Sequence, residues 1–246
     1  MSIGRVEREL RRKLNSGEKL FFLLSDPERP LEPGLVKEFD DSGADALLVG
    51  GSVNVAPTDI DRYITSLRRL DISIPIVLFP GGLNNIAGSA DAILFMVLMN
   101  SLDPYWLMGA QVTAAPLIKR FGLEAIPTGY VIVGHGGAAG HIGRAHPIPF
   151  ENPYLASIYA MAAEMLGFRF LYLEAGSGSP RPVPLEAIRA ARNSTDYIVL
   201  VVGGGIRSSD YALKLYDVGA DAIVIGTLAE RDPQAALQML VNIKRR

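Results

Sequence analysis

The sequence contains no cysteine, so neither a disulfide framework nor a thiolate metal site is open to it. It has no long apolar run either. The longest, Ala92 to Met99, spans eight residues, against the ~20 that a membrane-crossing helix needs. Positive charge is not in excess: the formal net charge is −2, which excludes the basic stripe expected of a nucleic-acid-binding surface. Charged side chains from Arg5 through Lys13 leave no apolar segment for a secretory signal. Walker and strand–GxGxxG–helix phosphate motifs are absent.

What is present suits a soluble, cytoplasmic enzyme of 246 residues, 49% apolar and 20% charged, read as one domain over residues 1–246. It opens on an amphipathic helix, with Ile3, Val6, Leu10 and Leu14 on one face and Ser2 placed to cap it. Short apolar runs then alternate with helical patterns. The expected strands are 20–24, 46–49, 74–79, 92–99, 130–133, 168–173, 197–202 and 222–225. Runs apolar at every position fit a parallel sheet covered on both faces. The expected helices are 33–42, 57–70, 104–121, 153–166, 184–192, 208–218 and 233–243, six of them with proline near the first turn. GADALLVG at 43–50 is echoed by GADAIVIG at 219–226 and, more weakly, by SADAIL at 89–94, as though one αβ unit were repeated. This predicts a (β/α)8 barrel, with a doubly wound sheet as the alternative. PGGLNNIAG at 80–88, where the third helix should lie, is poor helix material. Residues 134–149, rich in Gly, His and Pro, read as a loop.

In such a barrel the chemistry gathers at the C-terminal strand ends. The last three strands all end in glycine: Gly176-Ser177-Gly178, Gly203-Gly204-Gly205 and Gly226-Thr227. Bare backbone of this kind lets N–H groups approach an anion closely, which points to a phosphate site; the competing explanation is simple closure of tight turns. Glu174 stops the sixth strand just before its glycines. Like charges repel, so it would face the rest of the ligand, accepting hydrogen bonds or a proton. Its structural alternative is an ion pair with Arg169 or Arg207. Tyr172 lies on the same strand face and can act with it. Asp26, followed by Pro27, could anchor a hard divalent cation, with Ser52 adding an oxygen; a turn role for Asp26 is the alternative. No lysine (13, 19, 37, 119, 214, 244) ends a strand, which argues against Schiff-base chemistry. His135, His141 and His146 share one loop without ligand spacing, which argues against zinc. FMVLMNSLDPYWLMG at 95–109 reads either as core packing or as an apolar groove for a hydrocarbon partner.

Taken together, DPERP at 26–30, VGGS at 49–52, LFPG at 78–81, MNSLDPYWLMGAQ at 99–111, YLEAGSG at 172–178, GGGIR at 203–207 and GT at 226–227 resemble the geranylgeranylglyceryl phosphate synthases and their bacterial heptaprenyl relatives. The motifs span nearly the whole chain. The resemblance implies a barrel with its third helix replaced by irregular structure. It also implies transfer of a prenyl group from a prenyl diphosphate to the C3 hydroxyl of sn-glycerol 1-phosphate. A longer heptaprenyl donor is the near alternative. By position it assigns Mg2+ to Asp26 and Ser52. Glycerol phosphate falls to Tyr172, Leu173, Glu174, Ala175, Gly176, Ser177, Gly178, Gly203, Gly204, Gly205, Gly226 and Thr227, with Glu174 and Tyr172 as the catalytic pair. It further implies a homo-oligomer, with peripheral membrane contact for product delivery. Arg29 stands where the family often has lysine, exchanging a point charge for a planar fork. Trp106 and Met108 are candidates for limiting donor length. The rival readings are a sugar-phosphate isomerase or lyase, which leaves the Met-rich stretch unused, and a catalytically silent assembly or membrane-surface module.

Overall fold

A computed structural model describes residues 3–51 and 55–245. It shows the closed parallel barrel β1 to β8, with every strand hydrogen-bonded to its sequence neighbours and β1 closing on β8. The strands are β1 (Leu20–Ser25), β2 (Ala46–Val49), β3 (Ile76–Leu78), β4 (Ala92–Leu98), β5 (Glu124–Ile132), β6 (Phe170–Glu174), β7 (Val199–Gly203) and β8 (Ala222–Ile225). The helices are α1 (Arg5–Asn15), α2 (Pro33–Asp41), α3 (Pro57–Arg68), α4 (Ala110–Phe121), α5 (Gly137–Ile142), α6 (Leu155–Met165), α7 (Leu185–Arg192), α8 (Ser209–Asp217), α9 (Thr227–Arg231) and α10 (Pro233–Lys244).

Alternate residues of each strand feed two cores, which is why the strands read as unbroken apolar runs. Phe22, Leu48, Val77, Ile126, Phe170, Val201 and Val224 fill the barrel interior. Phe21, Leu47, Leu78, Val131, Leu171, Val202 and Ile223 pack outward against the helices. Helix starts follow from local chemistry. The Asp232 carboxylate accepts from Ala235 N at 3.0 Å with Pro233 next in line, and Ser208 Oγ accepts from Tyr211 N.

The N-terminal end of the barrel is sealed by α1, whose Val6 and Leu10 join the interior core. The expected Ser2 cap lies outside the described residues. The cap that is present comes from far along the chain: the Glu124 carboxylate, at the start of β5, accepts from Val6 N (2.7 Å) and Glu7 N (2.9 Å). Gly4 makes room for it, since a Cβ there would lie 2.1 Å from Glu124 Cδ. Glu7 is fully buried and bridges Arg11 Nε (2.9 Å) and Arg169 Nε (2.7 Å).

Beyond shifts of one or two residues at element ends, the structure departs from the sequence reading in four places, one of them the short helix α9, where the sequence reading expected only a glycine turn. β5 begins at Glu124, well before 130, and contains Pro127, a residue that argues against a strand because it has no N–H to donate. Its carbonyl still accepts from Arg169 N, and register places Pro127 opposite Phe95. The segment 104–121 is not one continuous α-helix. It opens with a π-helical turn, Tyr105–Gly109, before α4. The stretch 134–149 is not all loop but contains α5. Between β3 and β4, as expected, a 3₁₀ turn at Leu83–Asn85 stands where a helix would be.

Candidate active site

The C-terminal strand ends surround a cavity of about 520 Å3. Asp26 after β1, Gly50 and Gly51 after β2, Phe79 to Gly81 after β3, Glu174, Ser177 and Gly178 around β6, Gly204 to Arg207 after β7, and Gly226 to Leu228 with Glu230 and Arg231 after β8 all contribute to its wall.

Glu174 is the buried charge of this cavity, 6% exposed, and among the described residues it has no ion pair. Both arginines that might have neutralised it are committed elsewhere. Arg169 pairs with Glu7 at the far end of the barrel, while Arg207 donates to Ser179 O at 2.8 Å. Burial pushes the Glu174 carboxyl up from 4.5 to about 7, opposed by hydrogen bonds from Gly176 N and the Tyr172 hydroxyl. Such a group changes its protonation near neutrality. Tyr172 is fully buried, and burial, with Glu174 beside it, holds its hydroxyl well above the usual tyrosine range. It therefore stays neutral and donates.

The glycines are fitted to these two side chains. A Cβ on Gly203 would lie 2.1 Å from the Tyr172 hydroxyl. Gly204 has φ +83°, and a Cβ there would lie 2.4 Å from Glu174 Oε1. The loops also knit together: Ser177 Oγ and Thr227 Oγ1, from the turns after β6 and β8, meet at 3.2 Å. Backbone of three adjacent turns and two hydroxyls thus faces one corner of the cavity, a fitting cradle for a phosphate.

After β1, the strand that pairs with β8, Asp26 holds its own turn, Oδ1 accepting from Glu28 N at 3.0 Å. The bare Cα of Gly51 leaves its carboxylate room, for a Cβ there would lie 2.4 Å from Oδ1. Ser52 lies outside the described residues. Among those described, no group of three or more His, Asp or Glu gathers to form a protein-only metal cage. One open carboxylate on a diphosphate-sized cavity still fits a magnesium ion that takes most of its ligands from phosphate and water. Arg29, Arg207 and Arg231 bring positive charge to the same cavity, against Asp26, Glu174 and Glu230.

A second, apolar groove of about 120 Å3 adjoins the first, sharing Pro80, Gly81, Met96, Tyr130 and Ala139 with it. Its floor is the irregular stretch after β3, and its wall includes Trp106, Ala110, Ala114 and Ile118. The missing helix is what opens this space. Gln111 braces the wall: its side-chain amide donates to the carbonyls of Met96 and Trp106, tying the π-turn to β4.

Of the site residues expected from sequence, the structure brings Asp26, Tyr172, Glu174, Ser177, Gly178, Gly204, Gly205, Gly226 and Thr227 onto one cavity. Leu173 and Ala175 are turned away: both side chains lie in the outer core against the helices, as strand alternation requires. Gly176 and Gly203 shape the wall from behind. Met108 does not reach the groove, being 61% exposed, whereas Trp106 lines it. The sequence reading missed the part played by residues 134–149. Gly136 N donates to Ala175 O, a Cβ on Gly176 would lie 2.5 Å from Gly137 N, and Ala138 and Ala139 line the cavity. Phe79, quoted only as part of LFPG, and Tyr130, stacked and edge-on to Tyr172 at 5.3 and 5.2 Å, have no site role in the sequence reading, since aromatic core residues carry no distinguishing signal.

The model of the PcrB family matches residues 13–244. The chain belongs to the PcrB family. Among its family relatives, the geranylgeranylglyceryl phosphate synthase of Hyperthermus butylicus is 63% identical over 97% of this chain and 99% of its own length. That of Saccharolobus solfataricus is 46% identical over 98% and 95%. The crystal structure of (S)-3-O-geranylgeranylglyceryl phosphate synthase from Thermoplasma acidophilum, in complex with its substrate sn-glycerol 1-phosphate, superposes with TM-score 0.89. It is 35% identical, covering 100% of this chain and 98% of that one. This PcrB-family barrel has no helix among its described residues long and apolar enough to cross a membrane.

Proposed function

We propose that this protein joins geranylgeranyl diphosphate to the C3 hydroxyl of sn-glycerol 1-phosphate, forming an ether and releasing diphosphate. The observation that carries this reading is the junction of two unlike spaces. A polar cavity with a glycine cradle and an unneutralised glutamate opens into an apolar groove. A sugar-phosphate isomerase or lyase would need the first and have no use for the second.

The chain's own groups divide the work. The turns after β6, β7 and β8 hold the phosphate of the acceptor, with Ser177 and Thr227 donating hydroxyl hydrogen bonds. Glu174 then faces the glycerol. As the bond between C1 of the prenyl donor and the diphosphate oxygen breaks, its electron pair leaves with the diphosphate. The glycerol C3 oxygen forms the new bond to C1, and its proton passes to the Glu174 carboxylate, oriented by the Tyr172 hydroxyl. Phe79 and Tyr130 offer ring faces to the positive charge developing on the allylic carbon. Arg29, Arg207 and Arg231 supply fixed countercharge for two phosphorylated substrates. Asp26, with Ser52, would hold magnesium, whose chemistry here is to neutralise charge on the departing diphosphate. Positioning of the two substrates supplies much of the rate. The enzyme works in the cytoplasm as a homo-oligomer.

The test is incubation with labelled geranylgeranyl diphosphate, magnesium and each glycerol phosphate enantiomer in turn. Ether product from the 1-phosphate alone is expected. Product from neither would overturn the reading, and faster turnover with a heptaprenyl donor would reassign the donor.

A further inference from the structure

The apolar groove lies where the sheet is incomplete. β3 pairs with β4 at Val77–Ala92 and Leu78–Ile93 and then ends, whereas β4 runs on to Leu98. The odd-numbered residues of β4 and its flanks bond toward β5: Asp91 O accepts from Glu124 N, and Met99 N donates to Tyr130 O. Strand alternation therefore turns the Met96 carbonyl to the other edge, where β3 has already stopped. A buried carbonyl without a partner is costly, so this edge needs a donor from elsewhere.

Gln111 is that donor. Its amide nitrogen donates to Met96 O and, at 3.2 Å, to Trp106 O. Both partners are acceptors, which fixes the nitrogen on this side of the amide. The second bond lands on the π-helical turn Tyr105–Gly109, in which Ala110 N donates to Tyr105 O, five residues back. Gln111 is 8% exposed, and its Oε1 has no partner among the described residues, so the side chain is held through its N–H groups alone. It carries the one amide side chain among the residues lining the groove. A half-satisfied amide in an apolar wall costs more than the Leu or Met that would fill the same space.

We propose that Gln111 is the positioning residue of the donor groove: by tying the π-turn to the unpaired edge of β4, it holds Trp106 in the wall and keeps the gap open for the prenyl chain. This rests on the prenyl-transfer reading of the groove. An α-helix turns by about 100° per residue, so a π-turn released into α-helical winding would carry Trp106 around the axis and off the wall. Gln111 does not line the polar cavity, which confines its role to the donor.

The test uses the full chain with magnesium, as Gln111→Met, which keeps the length and loses both donors, and as Gln111→Glu, which keeps the shape and, ionised, only accepts. In each variant the KM for geranylgeranyl diphosphate should rise about tenfold, while that for glycerol 1-phosphate changes less than about twofold and the pH midpoint of the rate does not move. Trp106 is the single tryptophan of the sequence, so its emission reports on the wall directly. It should shift to longer wavelength in both variants and respond less to added donor. An unchanged donor KM or an unshifted emission, in whichever variant folds, would overturn the proposal. So would equal rises in both KM values, which would mark general damage to the barrel. Failure of the intact protein to form ether would strike the prenyl-transfer reading instead, and the emission shift would still decide the place of Gln111.

Discussion

The two ends of the barrel each bury a glutamate, and they treat it in opposite ways. At the N-terminal end Glu7 is fully enclosed between Arg11 and Arg169 and helps to fasten α1 over the opening. At the C-terminal end Glu174 is almost as enclosed but among the described residues meets only a backbone N–H and a tyrosine hydroxyl. A buried carboxylate with countercharge is a fixed part of the structure. One without it is held ready to take and release a proton. The difference separates the end that stabilises the barrel from the end that works.

Substitutions can break this comparison, and the largest effect belongs to Glu174→Gln. Turnover should fall by about 10²–10⁴-fold while affinity for glycerol phosphate changes only slightly. Steady-state kinetics with varied glycerol phosphate gives both quantities. Equal losses in the two would make the carboxylate a binding group. Next comes Glu7→Ala, which strands two arginines. It should lower stability by about 3 kcal/mol in denaturant unfolding, with kcat per folded molecule intact.

The third effect sets the two glutamates against each other in stability. Glu174 titrates at about 7 in the folded chain against an ordinary 4.5, so between those values the folded state binds more protons. Its burial therefore costs stability increasingly as pH rises from 4.5 to 7. Glu174→Gln should gain about 2–3 kcal/mol at pH 8 and nothing at pH 4, a gain that unfolding curves at the two pH values would reveal. The smallest effect is at the surface. Arg5, whose side chain is 83% exposed beside Asp91, should change stability by no more than about 0.5 kcal/mol on replacement by alanine.

Much of this contrast was legible in the residues. The eight strands stood out because both faces of each are buried, and glycine-after-strand at β6, β7 and β8 pointed to the turns that line one corner of the cavity. The gap after β3 was visible in PGGLNNIAG, which has neither the propensity nor the periodicity of a helix. What stayed hidden depends on long-range contact. Pro127 concealed the first half of β5, because strand pairing overrode a local signal. Gly136 and Gly137, at the start of α5, look like loop residues, yet their backbone packs directly against Ala175 and Gly176. Glu124 as a helix cap, 118 residues from Val6, has no local signature at all. Nor could the sequence show which arginine Glu174 lacks, since Arg169 and Arg207 were both plausible until their partners were seen.

The most direct measurement is the single-turnover rate of ether formation as a function of pH for the intact enzyme and for Glu174→Gln. The account predicts a rate that rises with pH through a midpoint near 7 as the carboxylate deprotonates, and a low rate in the variant without that rise. The same rise persisting in Glu174→Gln would contradict it, and the proton would have to go elsewhere.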